Sequence, residues 1–486
     1  MNGPHLLFRE FLDKHEEWIA VHRDGSVFGL RSHEMELEER FGPTTFGFLD
    51  NKGYSVWRLE EVSVEDRSAK LLLSRRFGSV LDSLELIPRA SAEELGAGVR
   101  EARLAAANAI SEAVADAFPK MKLRRVSMNR PHSRHARIIL DGGALGDNGV
   151  IADVSGGSSP ERLLTAAVLW QSKAGSSSKR RLRKVFVVAR KGKLSALKRL
   201  HACLSDPVRK RIGILSLKNP TGPPSIGIAD PIEFDDLWKP RASPLRASGD
   251  GGLPDLARSV VETDPLNIDN LFARHGATLR YLGLPFARFR ELGGDEKAWF
   301  GIEREKQILD EDSSGELTEL LESLAEYRRF DSPNKQHLFY QAAPEAWLES
   351  LLRRDVRVLD RNLVLSPIYN QFRTSRDRID LLALTEKGRL AIVELKVSHD
   401  PTMVFQAVDY WRRIELQRRQ GMLDAAGLFG KRKIADRPAM IYLAAPATCF
   451  GAETEKLVEA VSGSIRIVRF ELNEDWRREV KVVRVV

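Results

Sequence analysis

Two carboxylates and an amine, Asp380, Glu394 and Lys396, are spaced so that they can share one face of a β-hairpin. They lie in Arg378-Ile-Asp-Leu-Leu-Ala-Leu-Thr-Glu-Lys-Gly-Arg-Leu-Ala-Ile-Val-Glu-Leu-Lys-Val, where two apolar runs flank a Glu-Lys-Gly turn. Positions 380 and 394 are equidistant from Lys387 in that turn, so pairing the runs sets the Asp opposite the Glu. The two-residue period of a strand then puts Lys396 beside Glu394. Two hard oxygen ligands suit Mg²⁺ or Mn²⁺, which keep several waters and complete their shell with substrate phosphate. A metal held there can lower the pKa of a bound water and stabilise charge on a phosphodiester transition state. Lys396 can orient or help deprotonate that water, or hold the scissile phosphate.

The surrounding elements must bring these groups together. From about Ala343 to Val486 the pattern reads α-β-β-β-α-β-α-β. Helices are expected at Pro344–Leu352, Thr402–Gln420 and Thr454–Ser462. Strands are expected at Leu363–Leu365, Asp380–Leu384, Leu390–Val397, Ala439–Ala444 and Ile465–Glu471. On the long helix, Gln406 and Tyr410 are four apart and share a face that can meet the metal site or the phosphate. On the first helix, Glu345 and Glu349 also share a face. Glu345 borders the apolar stripe of Leu348 and Leu352 more closely, and Glu349 lies further toward solvent; either can supply a third carboxylate.

This arrangement resembles the PD-(D/E)XK nuclease superfamily, in particular its RecB-like and NucS-like DNA endonuclease modules. The matching positions are Glu345 or Glu349, Asp380, Glu394-Leu395-Lys396, and Gln406 with Tyr410. Ile379 stands where the family's name has proline. The resemblance covers under a third of the chain. It implies a restriction-endonuclease-like mixed sheet flanked by helices, with Mg²⁺ or Mn²⁺ held by Asp380, Glu394 and the Leu395 carbonyl. Lys396 would assist the attacking water. The implied activity is a metal-dependent DNA endonuclease; the alternative is an inactive descendant that binds nucleic acid or serves assembly.

Compared with itself at an offset of 241 residues, the chain shows a second, weaker pattern of the same kind. Seven of 34 aligned positions are identical, among them Arg137-Ile138 on Arg378-Ile379, Ile151 on Ile392, Pro160 on Pro401, Ala166 on Ala407 and Trp170 on Trp411. The chemistry does not survive: Ile139 replaces Asp380, Asp153 replaces Glu394, Ser155 replaces Lys396 and Thr165 replaces Gln406. The expectation is a degenerate nuclease-like copy, useful for binding or architecture.

The chain as a whole therefore reads as a multidomain α/β protein. A β-rich module at 1–90 precedes the degenerate copy at 91–217. A Pro-, Gly- and Ser-rich linker at 218–260 leads to a β-rich module with a helix at 261–335 and the nuclease-like domain at 336–486. The first residues are too polar and acidic for a secretory signal, and no apolar run is long enough for a membrane span. Only two cysteines, Cys203 and Cys449, are present, which excludes a disulfide framework or a CxxC zinc site and suggests a reducing cytoplasm. The net charge of +8, with basic runs at 179–184, Arg412-Arg413, Arg418-Arg419 and 431–433, suits a polyanionic partner such as DNA. A homodimer is among the expected assemblies. No Walker lysine motif or HExxH pattern occurs, so ATP-driven movement and zinc protease chemistry are unsupported.

Overall fold

The computed structural model describes residues 3–22, 27–39, 44–50, 53–65, 68–75, 80–89, 92–128, 134–143, 146–176, 182–218, 224–242, 252–273, 276–292, 295–302, 307–310, 313–366 and 380–486. The chain is a mixed α/β protein carrying four β-sheets among the described residues. It divides into two compact units, Met1–Gly142 with Val150–Ser159 and Leu217–Gly227, and Gly143–Gly149 with Pro160–Ser216 and Ile228–Val486.

Residues 17–88 form a seven-stranded antiparallel sheet in which Glu17–His22 pairs between Val27–Arg31 and Val80–Pro88. Phe8 and Phe11, on a helix at Gly3–Asp13 that the sequence reading did not anticipate, bury among Trp18, Phe46 and Phe48. That amphipathic helix covers an apolar sheet face that a β-only module would leave exposed.

The next sheet is built from β1 (Lys122–Met128), β2 (His135–Asp141), β3 (Asp147–Asp153), β4 (Leu182–Arg190), β5 (Ile212–Lys218) and β6 (Ser225–Ile228), paired in sequential order. Helix α1 (Ala92–Ala117) precedes it. Helix α2 (Pro160–Ser176) follows β3, and α3 (Lys191–Ala202) follows β4.

The C-terminal sheet contains β7 (Leu363–Leu365), β8 (Leu381–Thr385), β9 (Leu390–Leu395), β10 (Met440–Pro446), β11 (Arg466–Leu472) and β12 (Val482–Val485), again in sequential order. Its helices are α4 (Pro344–Arg354), α5 (Met403–Arg419) and α6 (Ala452–Glu459). The pairs β7/β8, β8/β9 and β11/β12 are antiparallel, while β9/β10 and β10/β11 are parallel. Both β9 and β10 are buried along their whole length, as parallel strands covered on both faces must be. Each Leu, Ile or Val so buried contributes roughly 1.5–3 kcal/mol.

The stretch 218–260 is not simply a linker. Its described part supplies β6 and the 3₁₀ turn Phe234–Trp238, whose rings pack on Trp411 of α5. The aromatic pair inside a Pro-rich context seeks a core, and Trp411 provides it. Residues 219–223 and 243–251 of that stretch, and the basic residues 179–181, lie outside the described residues. Nor does packing break between 335 and 336. The five-stranded antiparallel sheet from Ile268–Ala273 to Gln307–Ile308 shares one hydrophobic core with α4, β8, β9 and β10. Trp347, Leu348 and Leu352 belong to that common core together with Leu279, Phe286 and Phe289. Among the described residues, no helix is long and apolar enough to cross a membrane.

Candidate active site

The β8/β9 hairpin pairs Leu381 with Val393, Leu382 with Ile392 and Ala383 with Ala391. This register is centred on position 387 and carries Asp380 and Glu394 to corresponding places at the open end. The turn depends on Gly388, whose φ of +76° suits glycine. A Cβ there would meet the Lys433 carbonyl at 2.8 Å. The Thr385 hydroxyl accepts from the Arg389 N–H at 3.0 Å and closes the turn.

Glu394 is the penultimate residue of an otherwise apolar strand and is only 2% exposed. Lys396 Nζ donates to Glu394 Oε1 at 3.1 Å and lies 3.8 Å from Glu345 Oε2. Asp380 Oδ2 accepts the Leu395 N–H at 2.8 Å, which fixes that carboxylate against the end of β9. Glu394 Oε2 is buried without a hydrogen-bond partner, as is Gln406 Oε1. Burial, and then the Asp380 charge, push the Glu394 carboxyl well above the ordinary carboxylate range; Lys396 only partly offsets them. Burial alone would lower the Lys396 ammonium, but Glu394, Glu345 and Asp380 together hold it above its usual value. Burial and the charges of Glu394 and Asp380 raise the Tyr410 phenol, which stays protonated at neutral pH.

A cleft of about 560 Å³ opens on these groups, lined by Glu345, Asp380, Glu394, Lys396, Gln406 and Tyr410, and also by Trp476 and Arg477. Six of the sequence-predicted residues thus share one cavity. Glu349 does not. It is 1% exposed and faces Arg280 at 3.4 Å and Arg353 at 3.6 Å. The expected order of exposure is reversed, because the five-stranded sheet covers the face carrying Glu349 and presents the buried Arg280 to it. Glu345, in the first turn of α4, stays at the cleft.

Sequence reasoning also missed the cationic groups that shape the cleft. The Arg328 guanidinium, fully buried, donates to the Phe339 and Ala342 carbonyls at 2.7 Å each and to Leu282 at 2.8 Å. Burial lowers its pKa to about 9. It pins the chain entering α4, where Ala343 takes a left-handed φ of +42°, a strained conformation for alanine. Arg477 lies over the rings of Trp476 at 4.5 Å and Tyr340 at 4.7 Å, with its Nε buried and unpartnered. The aromatic-basic sequence Asp475-Trp476-Arg477 was the available signal, but it lies eighty residues beyond the motif.

The basic pairs on α5 are largely committed to structure. Arg412 and Arg413 meet Asp409 at 2.8 and 2.6 Å, and Arg418 and Arg419 meet Glu415 at 2.7 and 2.9 Å. Residues 431–433 remain exposed.

Compared with known proteins, the chain matches no family model, no curated protein and no solved structure.

Proposed function

We propose that the chain is a divalent-metal-dependent nuclease of the PD-(D/E)XK type that hydrolyses DNA internally. The observation that carries this reading is Glu394: a buried carboxylate with one unpartnered oxygen, beside Asp380 and Lys396 in an open cleft. Burying a carboxylate without full compensation costs several kcal/mol in general, and such a cost persists where function requires it.

The donor set fits a hard cation. Among the described residues, no group of three or more His, Cys, Asp or Glu side chains converges to hold a metal alone. Mg²⁺ and Mn²⁺ do not need one, since one or two carboxylates plus water and phosphate suffice. Asp380, Glu394 and the Leu395 carbonyl would hold the ion, which when bound supplies an acidified water and charge stabilisation. The chain's own residues do the rest. Lys396, held between Glu394 and Glu345, orients the nucleophilic water and keeps its positive charge near the phosphate. Gln406 offers its amide across the same cleft, and the protonated Tyr410 can donate a hydrogen bond to a phosphate oxygen. Arg477, held flat on aromatic rings, suits a phosphate beside the scissile one.

A cleavage screen over duplex, single-stranded and branched DNA and RNA, with Mn²⁺ and with EDTA, tests the reading. Metal-dependent cleavage of DNA that disappears in Asp380→Ala and Lys396→Ala, with binding retained, supports it. No cleavage of any substrate overturns it and leaves a nucleic-acid-binding module.

A further inference from the structure

The β1–β6 and β7–β12 halves repeat one plan. Each runs helix, three strands, helix, strand, helix, strand, strand, and each pairs its six strands in sequential order, starting with an antiparallel pair. Helices α2 and α5 have the same length of 17 residues. This likeness of order supports the repeat first suggested by the 241-residue offset.

Elements of the two halves that fall in the compact unit Pro160–Ser216 with Ile228–Val486 touch in a reciprocal way. Leu204 and Val461, each two residues past the end of its half's helix α3 or α6, form an antiparallel bridge. The Ser205 N–H donates to the Ala460 carbonyl at 2.8 Å, and the Ser462 N–H donates to the Cys203 carbonyl at 2.8 Å. Exchanging 203–205 with 460–462 turns one bond into the other. Helix α2 packs on its counterpart α5, and the cross pairs α2 with α6 and α3 with α5 are also in contact. A surface where one residue meets another, and the counterpart of each does the same in reverse, is the signature of a two-fold, isologous interface.

We propose that the first half occupies, within one chain, the seat that a second nuclease subunit takes in a two-fold dimer, so that each chain cuts only one strand of duplex DNA per encounter. This rests on the nuclease reading above. The antiparallel strands of a duplex are related by local two-fold axes, so a symmetric pair of live sites can address both strands. Here one member of the pair has Ile139, Asp153 and Ser155 where the other has Asp380, Glu394 and Lys396. The contact that would recruit a second copy is already filled from the same chain, which also argues against a homodimer formed through it.

Two measurements test this. With Cys203 and Cys449 changed to Ala, Leu204→Cys with Val461→Cys should oxidise to an intrachain disulfide. Residues facing one another in such a bridge have Cα atoms about 4.5 Å apart, within disulfide reach. A monomeric, faster-migrating oxidised band is expected; a disulfide-linked dimer, or a folded variant that does not cross-link, overturns the proposal. Should that variant misfold, the wild-type chain still decides: cleavage first order in protein supports the proposal, and cleavage rising with the square of its concentration overturns it. The second measurement is single-turnover cleavage of supercoiled plasmid with Mn²⁺. Open circles should accumulate before any linear product. Linear product formed at once, or cleavage confined to single strands, overturns the proposal. Absence of all cleavage overturns the nuclease reading instead, and the cross-link then still reports whether the seat is filled in cis.

Discussion

Glu394 and Asp153 stand at comparable places, in the last two residues of β9 and of β3, yet their surroundings differ. One Glu394 oxygen meets Lys396, and the other is buried without a partner. Asp153 is one methylene shorter and is turned to local structure. It accepts from the Ser155 N–H at 3.0 Å, the Ser155 hydroxyl at 2.7 Å and the Ser158 N–H at 2.9 Å. The same strand position thus carries a group kept under electrostatic tension in one half and a turn-closing acceptor in the other. A carboxylate poised for an incoming cation costs stability; one absorbed into a loop contributes it.

That contrast is open to direct attack. The largest effect is expected from Asp380→Ala and Lys396→Ala, each lowering DNA cleavage by about 10²–10³-fold or more, as loss of a main transition-state contact does. Gel-based rates with Mn²⁺ check this, and Ser155→Lys should restore nothing. Next comes Glu349→Ala, which takes a carboxylate from Arg353 and one of two from the buried Arg280, whose Asp269 pair remains, and should cost about 1.5–3 kcal/mol in urea unfolding. Glu345→Ala, at the cleft, should reduce cleavage instead and hardly move the unfolding midpoint. Asp153→Ala should cost about 1–3 kcal/mol through its lost acceptor while leaving the cleavage rate unchanged. If it abolishes cleavage, the division of labour between the halves is wrong.

The smallest expected effect is a pH dependence in the first half. Burial lowers the His201 pKa below its ordinary value, and its Nε2 donates to the Ile212 carbonyl at 2.9 Å. The folded state therefore favours the neutral ring. Its contribution to stability is fully present above the unfolded value of 6.5 and is lost as pH falls from there toward the depressed folded value. Thermal unfolding should show a steeper loss below pH 6.5 in the wild type than in His201→Gln, which cannot titrate. Parallel curves would mean that His201 is not neutral in the fold.

Much of this was readable in the sequence wherever one local rule governed. The hairpin register followed from the Glu-Lys-Gly turn and the two apolar runs that flank it, and the strands and helices from 344 to 471 fall within a few residues of the pattern. Gln406 and Tyr410 reached the cleft because helical spacing carries them there once the helix packs. What was not readable depended on distant partners. Glu349 reads as a solvent-facing residue from its own helix, and only Arg280, 69 residues earlier, covers it. Arg477 and Arg328 gained their places from rings and carbonyls contributed by other elements. The β6 strand was missed because a Pro-Gly-rich context surrounds its four-residue pairing segment.

The proposed divalent-metal site is formed by Asp380 and Glu394, and Asp153 takes no part in one. Titration calorimetry with Mn²⁺ tests it most directly. Binding in the wild type that is lost in Asp380→Ala and unchanged in Asp153→Ala is the predicted result. No binding in the wild type, or equal binding in wild type and Asp380→Ala, would contradict it.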